Sequence, residues 1–560
     1  MRYDGKKEIP IGIEDFKVLI DNNYYFVDKT DFLAELIRNL GKVNLFTRPR
    51  RFGKTLNQSM IQRFFEKTEE SNAYLFEGLH IAEAGEKYMA YQGQYPVIKL
   101  SLKGMKKNSF QEAMEQFTFL IAQECERHME ILTSDLIKDG TKERFRRLLN
   151  EKGNESDLGL SLKMLSDCLN LIHGRKAIIL VDEYDVPLEN AHFQGYYDQM
   201  VSFIRSLFDN ALKTNDSLEM AVLTGCLRVS KESLFTGLNN LQISSIRSNE
   251  FSRFFGFTEQ EVHDLATYYA ISDRFPVIKE WYDGYRFGKD EIYNPWSVLN
   301  FAREARYDSV FQPSPFWSNT SSNSIIHELI VNANEDTKDQ IEELINGGYV
   351  LAPVHEDMVY ADIEVNREDI WSFLLFTGYL KQIGSEMQDG EIYLKMVIPN
   401  LEVRTLYRRM IMAWFKDSVR ADSREDLLEA LLSENAEKVT DIIGRWLDET
   451  ISFYDTKEMY YHGFLAGLLS GIKGWKLISN RESGDGRPDL LLLHRRPQDV
   501  AVILEIKGPE EGRTLESLAD QALQQIEKNR YDSEPVNDGY TKIIKYGAAF
   551  RKKKCLIKLG

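Results

Sequence analysis

The chain has 560 residues, 43% hydrophobic and 28% charged, which is too long for one ordinary domain and too apolar for a disordered one. Its net charge of −17 argues against broad binding to nucleic acid, which needs cationic surface, and leaves only local basic patches for that purpose. No apolar run reaches the length of a membrane helix, the opening MRYDGKKEIPIGIEDF lacks the apolar core of a signal peptide, and Cys125, Cys168, Cys226 and Cys555 form no CxxC pair. A cytoplasmic protein without a membrane partner, a zinc cluster or a disulfide framework is expected.

Read in order, KVNLFT is a short strand and KTLNQSMIQRFFEK a helix with apolar residues at helical spacing. YPVIKLSL is a second strand, and residues 109–173 are mostly helical. KAIILVDEYD is a buried strand ending in acids, and LEMAVLTGCL is another strand. Strands alternating with helices predict an α/β domain over residues 1–257, a parallel sheet with helices on both faces. Residues 258–447 read as mainly helical and acidic, with aromatic clusters such as WYDGYRFGKDEIYNPWSVLNF and no run assignable to chemistry. Residues 448–560 form a small α-β-β-β-α-β domain. Its helix EMYYHGFLAGLLSGI precedes the strands WKLISNRE, PDLLLLH and VAVILEIK, then comes the helix ESLADQALQQIEKNRY and a last strand, IIKYGAAF.

The first chemical motif is TRPRRFGKT. Gly53, Lys54 and Thr55 sit between a strand and a helix, as in a phosphate-binding loop. There backbone N–H groups cradle phosphates, the lysine reaches the β- and γ-phosphates and the hydroxyl binds Mg²⁺. Arg48 stands where the pattern GxxxxGK[ST] has its first glycine. Pro49 fixes φ and stiffens that turn. Arg50 and Arg51 either add charge around the phosphates or face nucleic acid. The strand AIILVDEYD delivers Asp182 and Glu183 at its C-terminal edge, where ligand crevices lie. Asp182 there binds Mg²⁺ through water and Glu183 orients or deprotonates the attacking water; otherwise the acids merely cap the next helix. Thr224 ends the next strand, in position to sense a γ-phosphate. Arg228 touches a phosphate, in cis or from a neighbouring subunit, or pairs with a surface acid.

The second motif is D-x(15)-E-x-K. Asp489 opens PDLLLLH, and Glu505 and Lys507, two apart on VILEIK, share one face of a strand. Two carboxylates together bind a divalent ion beside a lysine, the arrangement that metal-assisted phosphodiester hydrolysis requires. Glu458 and His462 lie one helical turn apart and either completes the site, although a structural role suits His462. Glu482 is a weaker candidate. The glycine run ESGDGRPD fits a hairpin, with Arg487 meeting a phosphate or pairing with Asp485. The RKKK run at residues 551–554 is either a solvated tail or a nucleic-acid contact.

The stretches YYFVDKTDFLAELI, LFTRPRRFGKTLNQSM, IILVDEYDVPL, VLTGCLRVSKESLFTGLNN and WYDGYRFG…IYNPWSVLNF resemble the AAA-ATPase-like family of bacterial proteins. Members often carry a C-terminal nuclease-like domain. MYYHGFLAGLL, SNRESGDGRPDLLL, VILEIK, QALQQIEKNRY and YGAAFRKKKCLI are similar to the PD-(D/E)xK nuclease superfamily in the form fused to that domain. The resemblance implies that the RPRRFGK[ST] form is a family trait. It implies ATP and Mg²⁺ as cofactors, Asp489 and Glu505 as metal ligands and Lys507 as the catalytic lysine. Gln525 and Tyr531 match a downstream helix motif that steers the strand in some such nucleases. DNA or RNA is the implied substrate, and a homo-oligomer is implied because AAA-type sites often need a neighbour's arginine. The expected function is a Mg²⁺-dependent nuclease gated by ATP binding or hydrolysis. The alternative is a nucleotide-dependent switch whose nuclease-like domain recognises a partner without cutting.

Overall fold

In the computed structural model, the described residues are 5–39, 41–228, 234–235, 239–319, 335–356, 369–388, 390–418, 421–450, 458–479, 488–496, 499–510, 512–551 and 553–560. The chain divides into two compact units, residues 1–320 with 347–403, and residues 321–346 with 404–560.

The first unit is built on a parallel sheet of β1 (Val43–Thr47), β2 (Val97–Ser101), β3 (Ala177–Asp182), β4 (Leu218–Gly225) and β5 (Leu241–Ser244), in the order β2-β3-β4-β1-β5. β1 and β3 are buried along their whole length, as the continuous apolar runs VNLFT and AIILVD require of inner strands. The expected strands are all present. β5 is an addition: its four residues LQIS are half-buried and too short to show a period. The helix Lys54–Phe65 lies against β2, β3 and β4. Its buried Gln58 donates from Nε2 to the carbonyls of Val181 at 3.3 Å and Val222 at 3.0 Å, fixing the helix start beneath the two strand ends. The predicted helical stretch before β3 is five helices, from Phe110–Glu126 to Ser161–His173.

Later in the same unit come a hairpin, β6 (Tyr285–Phe287) with β7 (Asp290–Ile292), and an antiparallel sheet of β8 (Val350–Pro353), β9 (Lys381–Gln388) and β10 (Glu391–Val397) in the order β8-β10-β9. The stretch read as mainly helical therefore carries sheet as well.

The second unit holds β11 (Trp475–Ser479), β12 (Leu490–His494), β13 (Val500–Lys507), β14 (Lys542–Arg551) and β15 (Lys554–Leu559), side by side in chain order. β13 and β14 are parallel and the other pairs antiparallel. A parallel pair needs a crossover, which the helix Leu515–Lys528 supplies. β15 extends the predicted order by one strand. KCLIKL carries two lysines around a short apolar run and continues the basic run before it, so that in isolation it reads as a basic tail. Of the RKKK run, Arg551 thus ends β14 and Lys554 begins β15. Gly547 on β14 is required by close packing, since a Cβ there would come within 2.3 Å of the Ala519 carbonyl on the crossover helix. Gly547→Ala is expected to cost about 1–3 kcal/mol, read by urea denaturation of the full chain.

Candidate nucleotide and metal sites

The loop between β1 and the helix Lys54–Phe65 brings the predicted phosphate-binding residues together. Gly53 caps the helix at φ +82°, a left-handed conformation that glycine adopts without strain, and Arg51 holds φ +69° without that freedom. The Thr55 hydroxyl donates to one carboxylate oxygen of buried Asp182 at 2.8 Å, and the Thr224 hydroxyl donates to the other. Three elements thereby meet at one carboxylate. The Lys54 ammonium donates to the carbonyls of Arg48 and Pro49, each at 2.9 Å, so the loop's own backbone holds it. Glu183 follows Asp182 at φ +53°, an uncommon conformation for a glutamate. Burial pushes its carboxyl pKa up, with the Lys54 charge pulling the other way. Arg228 stands half-buried three residues beyond Gly225. A threonine hydroxyl beside a strand-end aspartate is the oxygen donor set that suits Mg²⁺.

Asp185 is a site residue that sequence reasoning missed. It is buried, and its Oδ2 accepts the backbone N–H groups of Cys226 at 2.7 Å and Leu227 at 3.0 Å. The Tyr184 hydroxyl donates to the Leu227 carbonyl at 2.6 Å. The segment after β4 is therefore tied to the segment after β3. Gly225 permits this, because a Cβ there would lie 2.6 Å from the Tyr184 ring and 2.8 Å from Asp185 Oδ1. The signal lies in DEYD, whose second aspartate stands three residues beyond Asp182.

The three arginines of the loop take separate roles. Arg48 has no exposed surface. Its guanidinium donates to the carbonyls of Thr47 at 2.9 Å and Ser244 at 2.7 Å and to the Ser244 hydroxyl at 3.1 Å. It also lies against the rings of Phe255 and Phe287, 4.9 and 5.3 Å from their centroids. Burial draws its pKa down to about 9, which leaves it charged at neutral pH. Arg50 forks onto both oxygens of Glu189 at 2.8 Å, on the helix Val186–Gln194. Arg51 stacks over Trp296, 4.1 Å from the ring centroid. Phe52 packs edge-on against Tyr285, and Pro49 lies against Gly378, where a Cβ would approach to 3.0 Å.

In the second unit, Asp489 lies immediately before β12, and Glu505 and Lys507 lie on β13. The three come together as the spacing predicts. The Ile506 N–H donates to Asp489 Oδ2 at 2.8 Å, the Asp489 N–H to Glu505 Oε2 at 3.2 Å, and Lys507 Nζ to Glu505 Oε1 at 3.3 Å. Glu505 and Lys507 are 2% and 8% exposed, so these charges share a site nearly closed to water. Burial, with the Asp489 carboxylate adding to it, raises the Glu505 pKa to about 7, and Lys507 opposes the rise. Two acids brought together beside a lysine fit a divalent cation, which compensates both.

His462 is buried on the helix Glu458–Leu469. Its Nε2 donates to the Asp489 carbonyl at 3.0 Å, which is the structural role read for it. Glu458 opens that helix, and its side chain lies outside the described residues, as do Glu482, Asp485 and Arg487. Among the described residues, no group of three or more His, Cys, Asp or Glu is placed to hold a metal ion. The Gln525 and Asn529 amides both donate to the Tyr531 hydroxyl, at 3.2 and 2.8 Å, and Tyr531 packs with Leu491, Ile503 and Ile526.

A phosphate loop whose threonine meets a strand-end aspartate, on a parallel sheet, defines a P-loop nucleotide-binding unit. Paired acids with a lysine two residues on, on a mixed sheet, define a (D/E)xK unit. Residues 10–235 match the family model described as predicted AAA-ATPase, and residues 456–559 match that of the PD-(D/E)XK nuclease superfamily. The chain carries an AAA-ATPase-like domain and a PD-(D/E)XK nuclease superfamily domain. It is also similar to a protein described as "Uncharacterized protein in vnfD 5'region" from Azotobacter chroococcum mcd 1, with 26% identity over 403 residues, 71% of this chain and 69% of the relative. Among the described residues no helix is long and apolar enough to cross a membrane.

Two outcomes are expected from this geometry. Arg48→Ala leaves the buried Ser244 acceptors unmet and opens a cavity; it is expected to cost on the order of 3 kcal/mol in thermal denaturation. The stability that Glu505 lends by keeping its proton in the folded state is complete below its ordinary pKa of 4.5 and is lost as pH rises through about 7. Urea titrations without divalent ions are expected to show this decline, and Glu505→Gln to flatten it.

Proposed function

We propose that this protein binds and hydrolyses ATP at the loop around Lys54, cleaves nucleic-acid phosphodiesters at Asp489, Glu505 and Lys507 with Mg²⁺, and couples the two activities through its nucleotide state. The observation that carries the nucleotide reading is the double hydroxyl grip on Asp182 by Thr55 and Thr224.

In the ATPase step, Lys54 exchanges the carbonyls of Arg48 and Pro49 for phosphate oxygens. The helix start at Gly53 presents its free N–H groups to the same phosphates. Thr55 and Asp182 would hold Mg²⁺ there. Glu183, with its pKa raised by burial, orients the attacking water and takes its proton. In the nuclease step, Asp489 and Glu505 would hold the metal, and Lys507 steadies the charge that develops on the scissile phosphate. The chemistry supplied by the ion, when bound at either site, is neutralisation of phosphate charge and polarisation of the bond that breaks. ATP gating draws support from the packing of the loop: Arg48, Arg51 and Phe52 touch Phe255, Phe287, Trp296 and Tyr285, so a change at the phosphates reaches elements well outside the loop.

Lys54→Ala is expected to lower ATP affinity at least 100-fold with an unchanged circular dichroism spectrum; an affinity equal to wild type removes the loop assignment. Glu505→Ala and Lys507→Ala are each expected to slow Mg²⁺-dependent cleavage of DNA or RNA by about 100-fold or more while ATP turnover persists. Wild-type protein that binds nucleic acid but cuts neither single- nor double-stranded forms, with Mg²⁺ or Mn²⁺ and with or without ATP, makes the C-terminal domain a recognition module instead.

A further inference from the structure

After β5 the chain turns back past the hairpin β6–β7 and the start of β9, leaving a cleft of about 220 Å³ whose lining includes Arg247, Asn249, Arg286, Gly288, Leu375 and Gln382. All of these residues belong to the first unit, and none is in the phosphate loop. Arg286 is exposed, and among the described residues its guanidinium makes one hydrogen bond, from Nε to the Gly288 carbonyl at 3.2 Å. Its two terminal nitrogens meet no carboxylate: Glu291 stands opposite in the hairpin register but does not reach ion-pair distance. Arg247 gives one nitrogen to Glu356 at 3.0 Å, in a pair about one-third exposed on both sides, 32% and 31%. The side-chain amides of Asn249 and Gln382 have no hydrogen-bond partner among the described residues.

We propose that this cleft is a second anion site, taking a compact phosphate-bearing small molecule. Two guanidinium groups and two carboxamides converge on it, and a guanidinium fork matches the oxygens of a phosphate. Its volume is below the roughly 300–1,000 Å³ of pockets for drug-sized ligands, which selects a small oxyanion over a whole nucleotide. It stands apart from the phosphate loop because Arg48, Phe52 and Phe287 are fully buried and packed together next to it. The proposal does not rest on the nucleotide reading.

The test is isothermal titration of the full chain with sodium pyrophosphate, on a Lys54→Ala background that disables the loop. The expected result is that Lys54→Ala retains one equivalent of pyrophosphate binding. Adding Arg247→Ala and Arg286→Ala then weakens it at least tenfold with no change in circular dichroism. Loss of all binding in Lys54→Ala alone, or binding indifferent to the two arginine changes, overturns the proposal. Tighter binding of citrate than of pyrophosphate at the same site overturns the phosphate assignment. ATP affinity that survives Lys54→Ala counts against the loop assignment only, because the cleft is scored by its own arginines.

Discussion

A guanidinium with no accessible surface and no carboxylate beside it is the constraint on which the nucleotide-binding unit depends. Taking a charge out of water is costly unless its donors are satisfied. Arg48 offsets most of the cost with two carbonyls, a serine hydroxyl and two aromatic faces, its Nε alone lacking a hydrogen-bond partner among the described residues. Each of these partners is thereby fixed. Ser244 ends β5, Phe255 follows it, and Phe287 ends β6. One side chain therefore joins the loop to the sheet edge and to the hairpin. With Arg48 anchored, its carbonyl and that of Pro49 accept from Lys54, and the lysine is held within the loop.

The rest of the loop is secured in the same way, by side chains turned away from the phosphates. Arg50 is tied to Glu189 on the helix after β3, and Arg51 lies on Trp296. The loop gives up the flexibility of a glycine-rich turn for a scaffold of buried contacts, and the remaining strain is concentrated at Arg51 and Glu183, both at positive φ. Such positions persist only where their surroundings over-determine them, and both flank the place where phosphate would sit.

The nuclease-like unit uses a different solution to the same electrostatic problem. Its charges are two acids set beside one lysine, and burial together with the Asp489 carboxylate raises the Glu505 pKa. Backbone N–H groups from Ile506 and Asp489 lock both carboxylates in place. His462 holds the Asp489 carbonyl from the neighbouring helix, so the acid that opens β12 is fixed at both its side chain and its backbone.

Much of this was written in the sequence, for local reasons. The inner strands announce themselves by continuous apolar runs, because an inner parallel strand is buried on both faces. Lys54, Thr55, Asp182 and Thr224 were legible because strand ends and helix starts fix where such residues lie. Glu505 and Lys507 were legible because strand residues two apart share a face. β5 and β15 were not, since a four-residue strand shows no period and a strand that follows directly on a basic run looks like a charged tail. Nor was the fate of Arg48, Arg50 and Arg51: a basic run reads as solvated or as a contact for phosphate, and only the approach of Ser244, Glu189 and Trp296, each more than a hundred residues away, turns it inward. The sequence by itself determined which groups carry the chemistry and on which elements they stand. The tertiary structure alone decided which charges are buried and paired, because burial and pairing depend on partners that local spacing does not encode.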